Sequence, residues 1–348
     1  MKAIVLTGIR QMELRDVPDP ALVNPTDVLI RMGAVGVCGS DVHYYNTGRI
    51  GSQVVRYPFA VGHEGAGVVE LVGPDVTRVQ PGDRIAIEPA MSCWECDQCT
   101  AGRQHTCRKL RFLGCPGQAE GCLSEYIVMP QECCYPIPDT MTLEQAALSE
   151  PLSIGVYSVK QSISMRGARI AILGAGPIGL SVLLAARSAG VGKAYVTDRI
   201  DDRLTVARAL GADWTANPDS SDIVEGLTRE EPLLLDAVFE CCGEQDAADQ
   251  ALHLLAPGGK LMYVGIPTVD RISFEMDLMR RREVCVQNVR RQVECVQPAL
   301  DMIVSGAVDV SPLVTHRFAF ERTQDAFEIV AAYGDGIVKA MIQFPGMQ

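Results

Sequence analysis

Positive charge is in short supply in this chain. Lysine and arginine number 31 against 43 acidic residues, a net charge of −12 at pH 7 with a pI near 4.9. A surface of that sign repels nucleic-acid phosphates and anionic headgroups, which argues against nucleic acid and membrane as partners. Long apolar runs are missing too. The longest uncharged stretch lies between Arg169 and Arg187 and is broken by three glycines and Pro177, a poor membrane span. No secretory signal is legible, because Arg10, Glu13, Arg15 and Asp16 come too early. There is no internal repeat and no low-complexity segment. What remains is a globular composition, 47% hydrophobic and 21% charged over 348 residues, enough for about two domains. The 13 cysteines, an odd number with adjacent pairs at Cys133–Cys134 and Cys241–Cys242, fit a reducing, cytoplasmic setting better than a disulfide scaffold.

Four of those cysteines form the strongest single signal. Cys93, Cys96, Cys99 and Cys107 read C-W-E-C-D-Q-C-(x7)-C, a spacing that closes four thiolates around one tetrahedral zinc. The alternative is two disulfides or unpaired thiols in a loop. A closed four-sulfur site has no open position, so its zinc would be structural.

Residues 1–150 read as β-rich, with short apolar runs at Ala3–Leu6, Val28–Ile30, Gly67–Val72 and Ile85–Ile87 cut by Gly, Pro and Asp. From 153 to 289 the rhythm changes to βαβ. Strands are expected at Ile170–Leu173, Ala194–Thr197, Asp236–Glu240 and Leu261–Gly265, with helices at Ile178–Ala189, Asp201–Leu210 and Asp246–Leu255. Pro257-Gly258-Gly259 reads as a break before the last of these strands. This is the pattern of a doubly wound parallel sheet, a Rossmann domain. The tail holds a helix at Val296–Ser305 and a strand near Val338–Phe344.

Gly174-Ala175-Gly176-Pro177-Ile178-Gly179 sits between an expected strand and helix, and Asp198 ends the next strand. Gly174 suits a tight turn, Gly176 a close approach of backbone to pyrophosphate, and Gly179 close helix–strand packing. The helix N-terminus offers amide donors to the pyrophosphate. Asp198 can accept from both ribose hydroxyls and repel a 2′-phosphate, which favours NAD. Arg199 complicates this, since an arginine can pair with a phosphate. Arg203, one helical turn on, could flank the adenine.

A second, open constellation flanks the cysteine lobe. Cys38, His63, Glu64 and Glu150 offer a thiolate, an imidazole and carboxylates, three zinc positions with the fourth left open. Zinc held there would acidify a substrate hydroxyl. Taken singly each residue has an ordinary alternative: a hydrogen-bonded histidine, a small buried cysteine, two solvated glutamates.

Gly62-His63-Glu64-x-x-Gly67-x5-Gly73-x-x-Val76, the cysteine lobe and the glycine fingerprint come in an order that resembles the zinc-dependent medium-chain dehydrogenases over nearly the whole chain. C-G-S-D-V-H-Y (38–44), G-R-I-G (48–51), G-D-R-I-A-I-E-P (82–89), E-P-L-S-I-G (150–155) and P-L-V-T-H-R-F (312–318) are similar to the sorbitol (L-iditol) and xylitol branch. The resemblance implies a β-rich GroES-like catalytic domain over 1–152, completed by 290–348, and a Rossmann NAD domain over 153–289. It implies two zinc ions per chain: one on Cys38, His63 and Glu64, with Glu150 either a direct ligand or a partner of the zinc-bound water, and one on the four cysteines. Asp41 would orient the His63 ring. Ser40 would begin the proton path and His43 relay it. Tyr44 and Arg290 would bind substrate hydroxyls, and the chain would assemble as a homo-oligomer, tetramer or dimer. Two departures stand out. Mammalian sorbitol dehydrogenases lack the cysteine lobe, which points to a microbial or insect-like branch. Arg291 stands where that family often has Tyr.

The expectation is therefore a zinc enzyme that moves hydride from a secondary alcohol of a polyol to NAD and yields a ketose. Rivals are a butanediol- or threonine-type dehydrogenase, a non-catalytic nucleotide-binding protein, and a zinc-ribbon interaction module.

Overall fold

The computed structural model describes residues 1–346 and divides into two units. One unit comprises Met1–Glu150, Ala299–Ser305 and the chain from Val314 onward; the other comprises Pro151–Pro298 and Gly306–Leu313. The return to the first unit thus comes later than the expected residue 290. Val289 still donates its N–H to Tyr263 in the second unit's sheet, and the stretch behind it stays with that unit.

The hub of the first unit is the strand Asp27–Gly36, buried along almost its whole length. Glu64–Val72 pairs antiparallel along one edge, while Tyr126–Pro130 and Lys339–Gln343 pair antiparallel with its two halves along the other. Arg84–Ile87 and Cys134–Pro136 extend the sheet beyond Glu64–Val72, and Val314–Ala319 extends it beyond Lys339–Gln343. Gly67 allows the central pair to close, since a Cβ there would lie 2.3 Å from the Arg31 carbonyl oxygen. Ile30, Met32, Val35, Ile85, Phe327 and Ile342 anchor the core. Within this pairing Gly36 stands opposite Glu64, a register that matters below.

The second unit holds a six-stranded, all-parallel sheet in the order Trp214–Ala216, Lys193–Thr197, Arg169–Leu173, Leu235–Glu240, Leu255–Tyr263, Cys285–Asn288. The order reverses direction at Arg169–Leu173, the switch point where open α/β sheets bind ligands beyond their strand ends. Helices Pro177–Ser188, Asp201–Ala209, Ile223–Glu230 and Gln245–Leu254 connect the strands. Expected strands and helices here agree with the structure to within a residue or two, with one exception. Pro257-Gly258-Gly259 does not precede the strand but lies inside it. Leu255 pairs with Leu235 and Lys260 with Ala237, so the extra residues bulge out of the ladder, with Gly258 at φ +77°. Trp214–Ala216, Cys285–Asn288 and the helices Ile223–Glu230 and Met276–Arg282 were not expected. Among the described residues no helix is long and apolar enough to cross a membrane.

Candidate active site

The strand Asp27–Gly36 runs out into Cys38, which caps the helix Gly39–Thr47. That helix carries Ser40, Asp41, His43 and Tyr44. Asp41 is fully buried; its Oδ2 accepts from the Cys38 N–H at 3.3 Å and its Oδ1 from the Gly62 N–H at 3.2 Å. The same Oδ1 lies 3.2 Å from His63 Nδ1. A carboxylate on Nδ1 fixes the ring and leaves Nε2 to face a ligand. Glu64 begins the next strand. Ligand atoms of Cys38, His63 and Glu64 all lie within 4.8 Å of one another, close enough for one ion. Ser40 Oγ donates to Cys38 Sγ at 3.4 Å, which puts a hydroxyl beside this group. Burial lowers the pKa of His63, but the neighbouring Asp41 and Cys38 outweigh it and hold it well above the usual histidine range.

Glu64 has a partner that the sequence did not suggest. Lys339 Nζ donates to its two carboxylate oxygens at 2.7 and 2.6 Å and to the Val37 carbonyl at 3.1 Å. Both side chains are 1% exposed. Gly36 makes the room, because a Cβ there would sit 2.2 Å from Glu64 Oε2. A doubly engaged carboxylate keeps lone pairs for a metal but cannot swing away freely. Glu150, in the first turn of the helix Ser149–Gln161, lies outside the tight ligand group. It is buried, and burial pushes its carboxyl up to about 7 despite the nearby His63, with Glu64 adding to the rise. Neither Glu64 nor Glu150 is solvated, against the ordinary alternative for each.

Tyr44 is buried, its hydroxyl donating to Gln53 Oε1 at 3.2 Å and lying 3.8 Å from Cys115 Sγ; Gln53 Nε2 donates to the same sulfur at 2.8 Å. Gln53 and Cys115 thus join Tyr44 in one polar cluster, which single residues in loops do not announce in a sequence. His43 is half-buried, and burial lowers its pKa, which favours the neutral imidazole. Arg290 belongs to the second unit and is exposed after the strand Cys285–Asn288.

In the cysteine lobe four sulfur–sulfur distances run from 3.4 to 3.9 Å. Sulfurs about 2.3 Å from a shared tetrahedral zinc sit about 3.8 Å apart, whereas a disulfide would bring two to about 2 Å. Backbone N–H groups of Cys93 and Lys109 point at Cys107 Sγ. The Cys96 thiol is lowered to about 6 by backbone N–H groups at Arg108 and Cys99. These four residues fit a closed zinc site.

The second unit fits a dinucleotide. Gly174 has φ +103°, and its N–H donates to Thr197 O at 2.8 Å. A Cβ on Gly179 would lie 1.8 Å from the Gly174 carbonyl oxygen, while Gly176 faces only the Arg203 guanidinium at 3.7 Å. The turn therefore leaves a cradle that any side chain at Gly176 would begin to fill. Pro177 and Ile178 open the helix behind it, which has no side-chain cap at its N-terminus. Asp198 Oδ2 accepts from the Ala175 N–H at 2.7 Å and Oδ1 from the Ile200 N–H at 2.9 Å. One lone pair per oxygen remains for a ribose diol. Arg203 is buried, 4.0 Å from Asp198.

Comparisons with known proteins agree with this geometry. Residues 24–139 match the alcohol dehydrogenase GroES-like domain and residues 177–305 the zinc-binding dehydrogenase domain. Sorbitol dehydrogenase of Bacillus subtilis is 36% identical over 98% of this chain and 97% of its own. Among solved structures, an oxidoreductase of unknown specificity from Escherichia coli superposes with a TM-score of 0.93 at 31% identity, covering 99% of both chains. A candidate zinc-binding dehydrogenase from Sinorhizobium meliloti, bound to NADP, superposes with a TM-score of 0.89 at 30% identity over 98% of both chains.

Proposed function

The chain belongs to the zinc-binding medium-chain dehydrogenases, a GroES-like domain joined to a Rossmann domain and acting as an oxidoreductase on small molecules, and from that premise we propose an NAD-dependent polyol dehydrogenase of the sorbitol, L-iditol or xylitol type. The first unit is the catalytic domain and the second binds the dinucleotide. One observation compatible with the polyol reading is that Tyr44, on the helix that carries Ser40 and Asp41, belongs to a hydrogen-bonded polar cluster with Gln53 and Cys115. The likeness to a sorbitol dehydrogenase points the same way.

Cys38, His63 and Glu64 would hold a zinc ion, which would supply a Lewis acid for the reacting hydroxyl. Ser40 Oγ would accept the hydroxyl proton as it gives up its own, and His43 would relay a proton toward solvent. Asp41 keeps Nε2 of His63 presented. Glu150, buried near His63 and Glu64, would serve as a further ligand or as a hydrogen-bond partner at the open position. Asp198 receives the NAD ribose. Cys93, Cys96, Cys99 and Cys107 would hold a second, structural zinc. A cytoplasmic setting, which the odd cysteine count favours, and a homo-oligomer, dimer or tetramer, complete the reading.

The test is dinucleotide reduction with sorbitol, xylitol, galactitol, butanediol and threonine, each with NAD and NADP. Polyols with NAD should lead in kcat/KM over butanediol and threonine. Equal or better rates with butanediol or threonine overturn the polyol reading and leave the family standing.

A further inference from the structure

The residue after Asp198 is a cation, and a cation beside the ribose-binding acid is what a 2′-phosphate seeks. In this chain that cation is already engaged. Arg199 Nε donates to both carboxylate oxygens of Asp219, at 2.9 and 3.0 Å. Asp219 is itself held, its N–H donating to Asn217 Oδ1 at 2.9 Å. Asn217 Nδ2 closes the loop by donating to the Arg199 carbonyl at 2.9 Å and to Asp201 Oδ1 at 3.0 Å. Glu244 and Asp246 add negative charge around the same guanidinium. A single exposed ion pair holds its partners weakly. Here, however, the arginine backbone, the asparagine and the aspartate are tied into one cycle at the ends of the strands Lys193–Thr197 and Trp214–Ala216.

We propose that Asp219 is a specificity-determining residue for the dinucleotide. It engages Arg199, the exposed cation next to Asp198, and so denies a 2′-phosphate its natural partner. Asp198 rejects the phosphate directly, and Asp219 does so by holding Arg199 Nε and offsetting its charge. The inference rests on the NAD reading above. It also explains how an Asp-Arg pair, ambiguous in the sequence, serves NAD.

The test is titration of the zinc-loaded protein with NADH and with NADPH, followed by nucleotide fluorescence, so that binding is read apart from turnover. The Asp219→Asn variant removes the charge and keeps the shape. Freed for a charge-assisted bond, Arg199 should tighten NADPH about tenfold, with the Kd for NADH unchanged within about twofold as the check on folding. Arg199→Ala in the Asp219→Asn background should cancel the gain. An unchanged NADPH-to-NADH ratio in Asp219→Asn overturns the assignment, as does a gain that survives Arg199→Ala. Wild-type protein that binds NADPH as tightly as NADH takes away the NAD premise as well. Wild-type preference for NADH with no response in the variant overturns the Asp219 role alone.

Discussion

The cysteine lobe and the Cys38–His63–Glu64 group are both built to hold a metal ion, but they are assembled in opposite ways. All four sulfurs of the lobe come from one loop, Cys93 to Cys107, with backbone N–H groups turned onto a sulfur and ion pairs at its rim: Arg108 with Asp97, and Lys109 with Glu95. The other group draws on a strand end, a loop and a second strand, is closed over by Lys339 from near the C-terminus, and is almost wholly buried. A local site can collapse alone, and its ion then staples a loop. A site gathered by sheet register exists only after the sheet has formed, and that sheet can hold a ligand position open.

The largest effect should separate the two centres cleanly. Cys38→Ser should lower kcat/KM by about a thousandfold or more, because the Lewis acid goes with its thiolate, while thermal stability changes little. Cys96→Ser should do the reverse, lowering the melting temperature by roughly 10 °C and releasing one of two zinc ions per chain. Metal analysis and thermal melts of both variants check this. One zinc in the wild type, or the same phenotype from both changes, would erase the distinction between the centres.

The same contrast explains what the sequence showed. The lobe was legible because its four ligands lie within one short segment, and the glycine turn because strand, turn and helix are contiguous. The helix Gly39–Thr47, which presents Ser40, Asp41, His43 and Tyr44, was not. Gly-Ser-Asp-Val-His-Tyr-Tyr-Asn-Thr has no apolar period and few good helix formers, so its conformation comes from the Asp41 bond back to Cys38 and from packing. Lys339 was less legible still. Its partner Glu64 is 275 residues away in the chain, and only the shared strand Asp27–Gly36 brings them together. The visible trace was a lone lysine in the apolar run Val338–Ile342.

That lysine gives the second prediction. Lys339→Met leaves the Glu64 carboxylate buried without a counter-charge, which should cost about 3–5 kcal/mol in zinc-free protein. The loss should shrink when zinc is present, since the ion then supplies positive charge beside the carboxylate. Lys339→Arg should recover part of it. The lysine pKa is raised: burial lowers it, but Glu64 and Cys38 more than compensate. A group whose folded pKa is raised contributes fully below its unfolded pKa and fades as pH rises through the folded one, so the deficit should be constant across neutral pH and narrow only in strong alkali. Denaturant melts with and without zinc read it. Equal losses in both would mean that Lys339 does not answer to the metal-binding carboxylate.

The smallest effect belongs to the matching ion pair at the other centre. Arg108 Nε and Nη2 reach the two carboxylate oxygens of Asp97 at 2.5 and 2.8 Å, a geometry as good as that of Lys339 on Glu64, but the side chains are 68% and 53% exposed. Water already solvates both charges, so little is gained when they meet and little lost when they part. Asp97→Asn should leave the melting temperature of the zinc-loaded protein within replicate scatter, and added salt should remove any residual difference. Arg108 holds the Asp97 carboxyl well below the usual range. A lowered folded pKa contributes above the unfolded pKa and is lost as pH falls through the folded one, so any trace of the pair should be present at pH 7 and vanish only in acid. A large loss from Asp97→Asn at neutral pH would show that the rim of the lobe bears on zinc retention itself, and the contrast between a closed centre with a solvated rim and an open one gathered by sheet register would then rest on ligand number alone.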